Sequence, residues 1–186
     1  MLGNYPFGEG SARCIILTAE LGLISALAQA ARESRSKLRV SLQPLSLGFY
    51  SFVKGKNGWR VIYAEERENF PNIFKENKRM FFLWHRLFGL LRKLIVGEDQ
   101  NKEMFALIKD SFHFSKENTL SKEEERLFES IVVLKILNIL GHLPSHSALD
   151  PFIGLREWNK EILRSFKDNE REAVAHINES ILQSGL

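Results

Sequence analysis

The sequence predicts an α+β chain, with a β-rich module over residues 1–70 and an all-helical domain over 71–186. Three observations carry that prediction. Short runs rich in Ile, Leu, Val, Phe and Tyr alternate with Gly, Pro, Asn and Lys clusters before residue 65. The charged stretch Glu65-Glu66-Arg67-Glu68-Asn69 marks a change of character. From Asn77 onward the apolar residues recur with helical spacing.

The β-like runs cover 12–18, 22–30, 38–53 and 58–64. Lys54-Gly55-Lys56-Asn57-Gly58 reads as a hairpin turn, because Asn-Gly tolerates positive φ. Pro44 lies inside the third run, which implies an edge, a bulge or a bend and favours a strongly curved sheet. Arg32, Arg35, Lys37 and Arg39 fall within eight residues and read as a basic hairpin.

In the second half, 78–96 is apolar almost all round, so a largely buried helix is expected. Its polar residues repeat every seven: Arg79, Arg86 and Lys93, and beside them Lys78, His85 and Arg92. Seven residues are about two helical turns, so the six form one stripe. Gly97 is placed to end this helix. Another helix is expected from about Asn101 to Phe114. A third starts at Ser121, whose pairing with Glu124 makes a Ser-x-x-Glu capping box. Gly141 and Pro144 stop it, and further helices are expected near 156–167 and 169–183.

The chain has 186 residues, of which 44% are apolar, enough for an ordinary core. No apolar run reaches the ~18 residues of a membrane span, and residues 1–10 do not read as a signal peptide. Cys14 is the only cysteine, which excludes an intrachain disulfide and a cysteine zinc cluster; no cofactor or metal is expected. A cytoplasmic location follows from this usage. The net charge is +3 but uneven: residues 1–80 sum to +5 and the remainder to −2. Segment 10–62 carries Arg13, Arg32, Arg35, Lys37, Arg39, Lys54, Lys56 and Arg60 against Glu20 and Glu33. That asymmetry suits a polyanion, since Lys and Arg neutralise phosphates and release counterions. It equally suits a well-solvated loop.

Phe49, Tyr50, Phe52, Trp59 and Tyr63 are the rings on which bases could stack, although strand alternation must send some of them into the core. The stripe of Arg79, Arg86 and Lys93 allows two readings. Its heads could reach water or pair with Glu123-Glu124-Glu125, or they could rim a groove for an acidic peptide ending in an aromatic. His142 and His146 are four apart, but Pro144 between them rules out a helical metal pair. No Ser-His-Asp set, paired-carboxylate signature or phosphate-cradling glycine loop stands out, so no catalytic residue is assigned.

The string from Phe7 to Ser46 resembles the N-terminal domain of RecO, the bacterial recombination mediator. The landmarks are Phe7-Gly8-Glu9, Leu17-Thr18, Glu20, Gly22-Leu23-Ile24, Ala31-Arg32, Ser36, Leu42-Gln43-Pro44 and Ser46. Gly97 with Asn101 and Phe105, Phe128-Glu129 with Leu137, Leu140-Gly141 and Pro144, and Ile177-Asn178-Glu179-Ser180 resemble the family's helical half. The resemblance implies an OB-fold barrel followed by helices. It also implies a non-enzymatic, nucleoid-associated bacterial protein that binds single- and double-stranded DNA and anneals strands. Its implied partners are a RecR-like protein and the acidic C-terminal tail of the single-stranded-DNA-binding protein, with which it helps load the RecA recombinase.

Three departures stand out. Met1 lies almost at the first turn, so the barrel's first strand has no evident counterpart. A coding stretch upstream of Met1 would mark the chain as trimmed. The four-cysteine zinc site of many members is absent. The usual Lys-Gly-Ala-Arg run is Gln29-Ala30-Ala31-Arg32, with Glu33 adding an acid. A protein-interaction adaptor that has lost DNA binding, and an RNA-binding OB protein, are the competing readings.

Overall fold

The computed structural model describes residues 1–95, 97–143, 147–155 and 157–183. They divide into two compact units, one of Met1–Arg92 with 97–102 and one of Lys93–Ile95 with 103–183.

The first unit holds five strands: β1 (Gly3–Phe7), β2 (Ser11–Thr18), β3 (Gly22–Ala28), β4 (Ser46–Gly55) and β5 (Gly58–Asn69). Their order is β1-β2-β3-β5-β4, with β3 and β5 parallel and the other neighbours antiparallel. The row curls until its ends meet: Leu45 N donates to Met1 O at 3.0 Å, and the Met1 amino group donates to Ser46 O at 2.7 Å. Burial pushes that amino group's pKa down to about 5. A helical turn, α1 (Leu38–Ser41), separates β3 from β4. Five strands in this order with a helix between the third and fourth make an OB barrel.

The inward positions are small or slender. Ala12, Cys14, Ile16, Ile24, Ala26, Ala28 and Val61 are buried, with Ala31 and Leu42 beside them. Tyr50, Phe52, Trp59 and Ala64 pack against this cluster from β4 and β5. Two register shifts, between Leu47 and Gly48 and between Ser51 and Phe52, each give β5 one extra residue. Such bulges bend a strand and sharpen its twist, which lets twelve residues wrap the barrel.

Two expectations need correction. The barrel does have its first strand. Gly3–Phe7 fills that place and pairs with Ser11–Ile15, although Gly3 and Pro6 deny it an apolar run. The third run is not a strand from residue 38. Residues 38–41 are helical, Pro44 has no N–H to donate, and Leu45 sits at φ +57°. Its backbone links Met1 to Phe70, whose N–H donates to Leu45 O at 3.0 Å, and only then does β4 begin. The basic stretch is therefore a turn leading into α1, not a β-hairpin.

After β5 comes a short helix, α2 (Phe70–Ile73), capped by the Asn69 side chain accepting from Asn72 N. Then follows α3 (Lys78–Leu94). Phe70 packs on Trp84 and Phe88 with ring centroids 5.4 and 5.2 Å away. The helix is two-faced rather than apolar all round: Leu83, Trp84, Leu87 and Leu91 are buried while Phe82, His85 and Arg86 are exposed.

The second unit contains α4 (Lys102–Glu117), α5 (Lys122–Ile139), α6 (Asp150–Ile153), α7 (Lys160–Phe166) and α8 (Glu170–Gln183). The expected capping box is formed: Ser121 Oγ accepts from Glu124 N at 3.2 Å, and Glu124 Oε2 accepts from Ser121 N at 2.8 Å. Helix α5 is its centre, buried from Ser130 through Leu137. Gly141 adopts φ +72° just past its end. Pro144, His146 and Arg156, named in the sequence reading or within its expected elements, lie outside the described residues.

Two predictions follow from the packing. A Cβ at Gly48 would overlap the Glu65 carbonyl oxygen across the bulge, whereas one at Gly89, within α3, meets nothing within 4 Å. Gly48→Ala should lower unfolding stability by about 1–3 kcal/mol. Gly89→Ala should be neutral or stabilise by about 0.5–1 kcal/mol; urea denaturation of both variants reads the contrast. Cys14 is fully buried and its thiol is pushed up to about 11, mainly by burial. A thiol reagent at mildly alkaline pH should leave the folded protein unlabelled and label it fully in denaturant.

Candidate nucleic-acid interface

Strand alternation sorts the barrel's side chains. Ala12 and Cys14 point inward, so Arg13 between them points out. Residues directly opposite each other on neighbouring strands share a face. Tyr5 lies opposite Arg13, Arg13 opposite Leu27, Leu27 opposite Arg60, and Arg60 opposite Val53. One outward row, Tyr5–Arg13–Leu27–Arg60–Val53, therefore crosses all five strands. Four interstrand steps of about 4.8 Å make it about 19 Å long.

Around that row, cations and rings are interleaved. The Arg13 guanidinium lies 4.7 Å from the Phe7 ring centroid and donates to Ser25 Oγ at 3.2 Å. Tyr5 and Phe7 are 46% and 45% exposed, so both rings are open to a stacking partner. On the same outer side Phe49 is 63% and Tyr63 51% exposed, with Arg67 5.3 Å from the Phe49 ring centroid. The bulge places Ile62 opposite no single β4 residue, so Ile62 and Tyr63, adjacent in the chain, are both exposed. Tyr50, Phe52 and Trp59 belong to the core side. Among the five candidate rings, Phe49 and Tyr63 are thus outward. Tyr5 and Phe7 were not among the candidate rings because no strand was expected at β1; pairing β1 with β2 would have placed them beside Arg13.

All eight basic residues read from the sequence are exposed, but they are not equivalent. Arg13 and Arg60 share the row. Arg32 is tied down: its N–H donates to Gly10 O at 2.9 Å and its Nη1 to Gly8 O at 3.3 Å, joining its loop to the β1–β2 turn. Arg35 and Lys37 stand in the turn before α1, and Arg39 lies within α1. Lys56 is at the tip of the two-residue β4–β5 hairpin, closed by the Gly55–Gly58 pair. Lys54 is neutralised within the unit: its Nζ lies 3.1 Å from Glu98 Oε2 and 5.0 Å from the Trp59 ring centroid. The Trp59 indole and then Lys54 hold the Glu98 carboxyl below its usual range.

On α3, Arg79, Arg86 and Lys93 are exposed, as are Lys78 and His85. Glu123 lies 2.9 Å from Lys167 Nζ, Glu124 closes the α5 cap, and Glu125 is buried. His142 is exposed in the segment after α5. Among the described residues no group of three or more His, Cys, Asp or Glu could hold a metal ion, and no helix is long and apolar enough to cross a membrane.

Comparison with known proteins agrees with this architecture. Residues 1–66 match the family model described as Recombination protein O N terminal. The DNA repair protein RecO of Thermodesulfovibrio yellowstonii is 31% identical over 149 residues, covering 77% of this chain and 56% of that protein. RecO of Alkaliphilus metalliredigens is 28% identical over 145 residues (77% and 57%). RecO of Halalkalibacterium halodurans is 23% identical over 168 residues (90% and 63%). The chain spans about half the length of the curated relatives it matches. The OB barrel lies in the segment that matches the RecO N-terminal model, and similarity to RecO proteins continues past it into the helical unit.

Proposed function

We propose that this chain is a non-enzymatic DNA-binding component of recombinational repair, and that its barrel holds single-stranded DNA on the outer face. The observation that carries this reading is the row Tyr5–Arg13–Leu27–Arg60–Val53, with Phe7 against Arg13. Guanidinium groups neutralise phosphates whatever the sequence, and rings beside them give bases a stacking surface. Arg35, Lys37, Arg39 and Lys56 add charge at the rims of the barrel. Strand annealing, a RecR-like partner and the acidic tail of the single-stranded-DNA-binding protein belong to the same proposal, supported by the RecO likeness. The exposed basic residues Arg79, Arg86 and Lys93 are the proposed contacts for that tail.

Each phosphate contact contributes about −0.7 to the log–log salt dependence of binding to single strands. The Arg13→Ala, Arg60→Ala double variant should therefore flatten the slope by about 1.4. Replacing Arg32, Arg35 and Lys37 together should flatten it by roughly two. Lys54→Ala should change it least, because Glu98 already offsets that charge. Fluorescence anisotropy with oligothymidylate across a salt series measures all three. A parent protein without salt-dependent binding would sink the DNA reading and favour a pure protein adaptor. Tighter binding to RNA than to DNA of equal length would favour the RNA-binding alternative.

A further inference from the structure

The Tyr5 end of the outward row does not stop at the edge of the barrel. Beside it, within the same unit, is a cavity of about 150 Å³ lined by Tyr5 and Asn4 from β1, Leu45 ahead of β4, and His85, Phe88 and Arg92 from α3. That is below the roughly 300 Å³ at which pockets for whole small molecules begin. It suits a tetrahedral oxyanion.

The chemistry of the lining is one-sided. Arg92 Nη1 donates to the Tyr5 hydroxyl, and its guanidinium lies 6.0 Å from the Tyr5 ring centroid. No carboxylate lines the cavity, and among the described residues none forms an ion pair with Arg92. Arg92 is the half-buried member of the α3 stripe, and His85 is exposed two turns earlier on it. The Asn4 side chain is already used, donating to Leu42 O at 2.8 Å, so Arg92, His85 and the phenol are the groups free to meet a ligand. A Cβ at Gly3 would come within 3.1 Å of both Arg92 Nη1 and the Tyr5 hydroxyl, so the bare backbone there leaves room for the pair.

We propose that Arg92, His85 and the Tyr5 hydroxyl form a phosphate-binding notch that carries the nucleic-acid path from the barrel onto α3. A strand lying along Arg60 and Arg13 reaches Tyr5, stacks a base on its ring, and sets the next phosphate against Arg92 and His85. The Tyr5 hydroxyl aims the guanidinium, and a fixed guanidinium loses less freedom on meeting a phosphate than a mobile one. This inference rests on the DNA-binding reading of the barrel.

The test uses the full chain and two oligothymidylates, one of about four nucleotides and one of about sixteen, the range of site sizes for an OB fold. Arg92→Gln should weaken the long oligonucleotide and flatten its salt slope by about 0.7, and His85→Gln, which removes a ring N–H donor, should weaken it with little change in slope; both should leave the short one unchanged. Arg92→Lys should restore most of the slope. An unchanged slope in Arg92→Gln, or equal losses on short and long strands, would overturn the notch. A parent that binds neither oligonucleotide would instead overturn the DNA reading. The notch is then judged by inorganic phosphate alone. It should shift the His85 ring resonances in the parent and not in Arg92→Gln, and no shift in the parent overturns it. If Arg92→Gln fails to fold, exposed His85→Gln and Tyr5→Phe carry the same comparison.

Discussion

Closing five strands into a barrel leaves very little room inside, and much else in the first unit follows from that shortage. Ala12, Cys14, Ala26 and Ala28 fill buried inward positions of the barrel core. Interiors are packed nearly as tightly as organic crystals, so larger residues there would force the strands apart. The bulky rings come instead from β4 and β5, where Tyr50, Phe52 and Trp59 are only partly buried. Once small residues fill the inside of β2 and β3, the alternate positions must face out. Those positions hold Arg13, Ser25 and Leu27. The chemistry of the outer face is in this sense the complement of the packing problem within.

Charge alone describes that surface poorly. Eight cations in one segment suggest a uniform basic patch, but the barrel assigns them different tasks. Arg32 stitches two loops together, Lys54 is held by Glu98, and Arg13 and Arg60 share one row with a leucine between them. A cation already meeting a carboxylate has less to gain from a phosphate than one meeting only water. Topology, more than composition, decides which bases are available.

Much of this was legible in the chain. The strands at 12–18 and 22–30, the Asn-Gly hairpin and the capping box at Ser121 depend on local rules, and each stands within a few residues of its expected place. What escaped depends on distant partners. Gly3–Phe7 carries no strand signature of its own and is a strand because β2 pairs with it. Residues 38–41, Leu-Arg-Val-Ser, alternate apolar and polar as a strand would, yet they make a helical turn just before the buried Leu42. The outward or inward sense of the aromatics could not be counted from sequence parity. Two bulges reset the count along β5, and a single extra residue reverses every position beyond it. The same dependence hid the outward row, which exists only once all four strand registers are known.

The parallel pairing of β3 with β5 is brief, only Ala26 with Trp59 and Leu27 with Arg60. It joins the three-stranded meander to the β4–β5 hairpin, so the barrel's shortest strand ladder sits directly beneath the middle of its outward row. Amide protons at such a junction exchange through local openings well below the global unfolding free energy. A ligand gripping Arg13 on one side and Arg60 on the other would act as an external strut across that junction. Occupancy of the surface and rigidity of the barrel beneath it would then be linked, each strengthening the other.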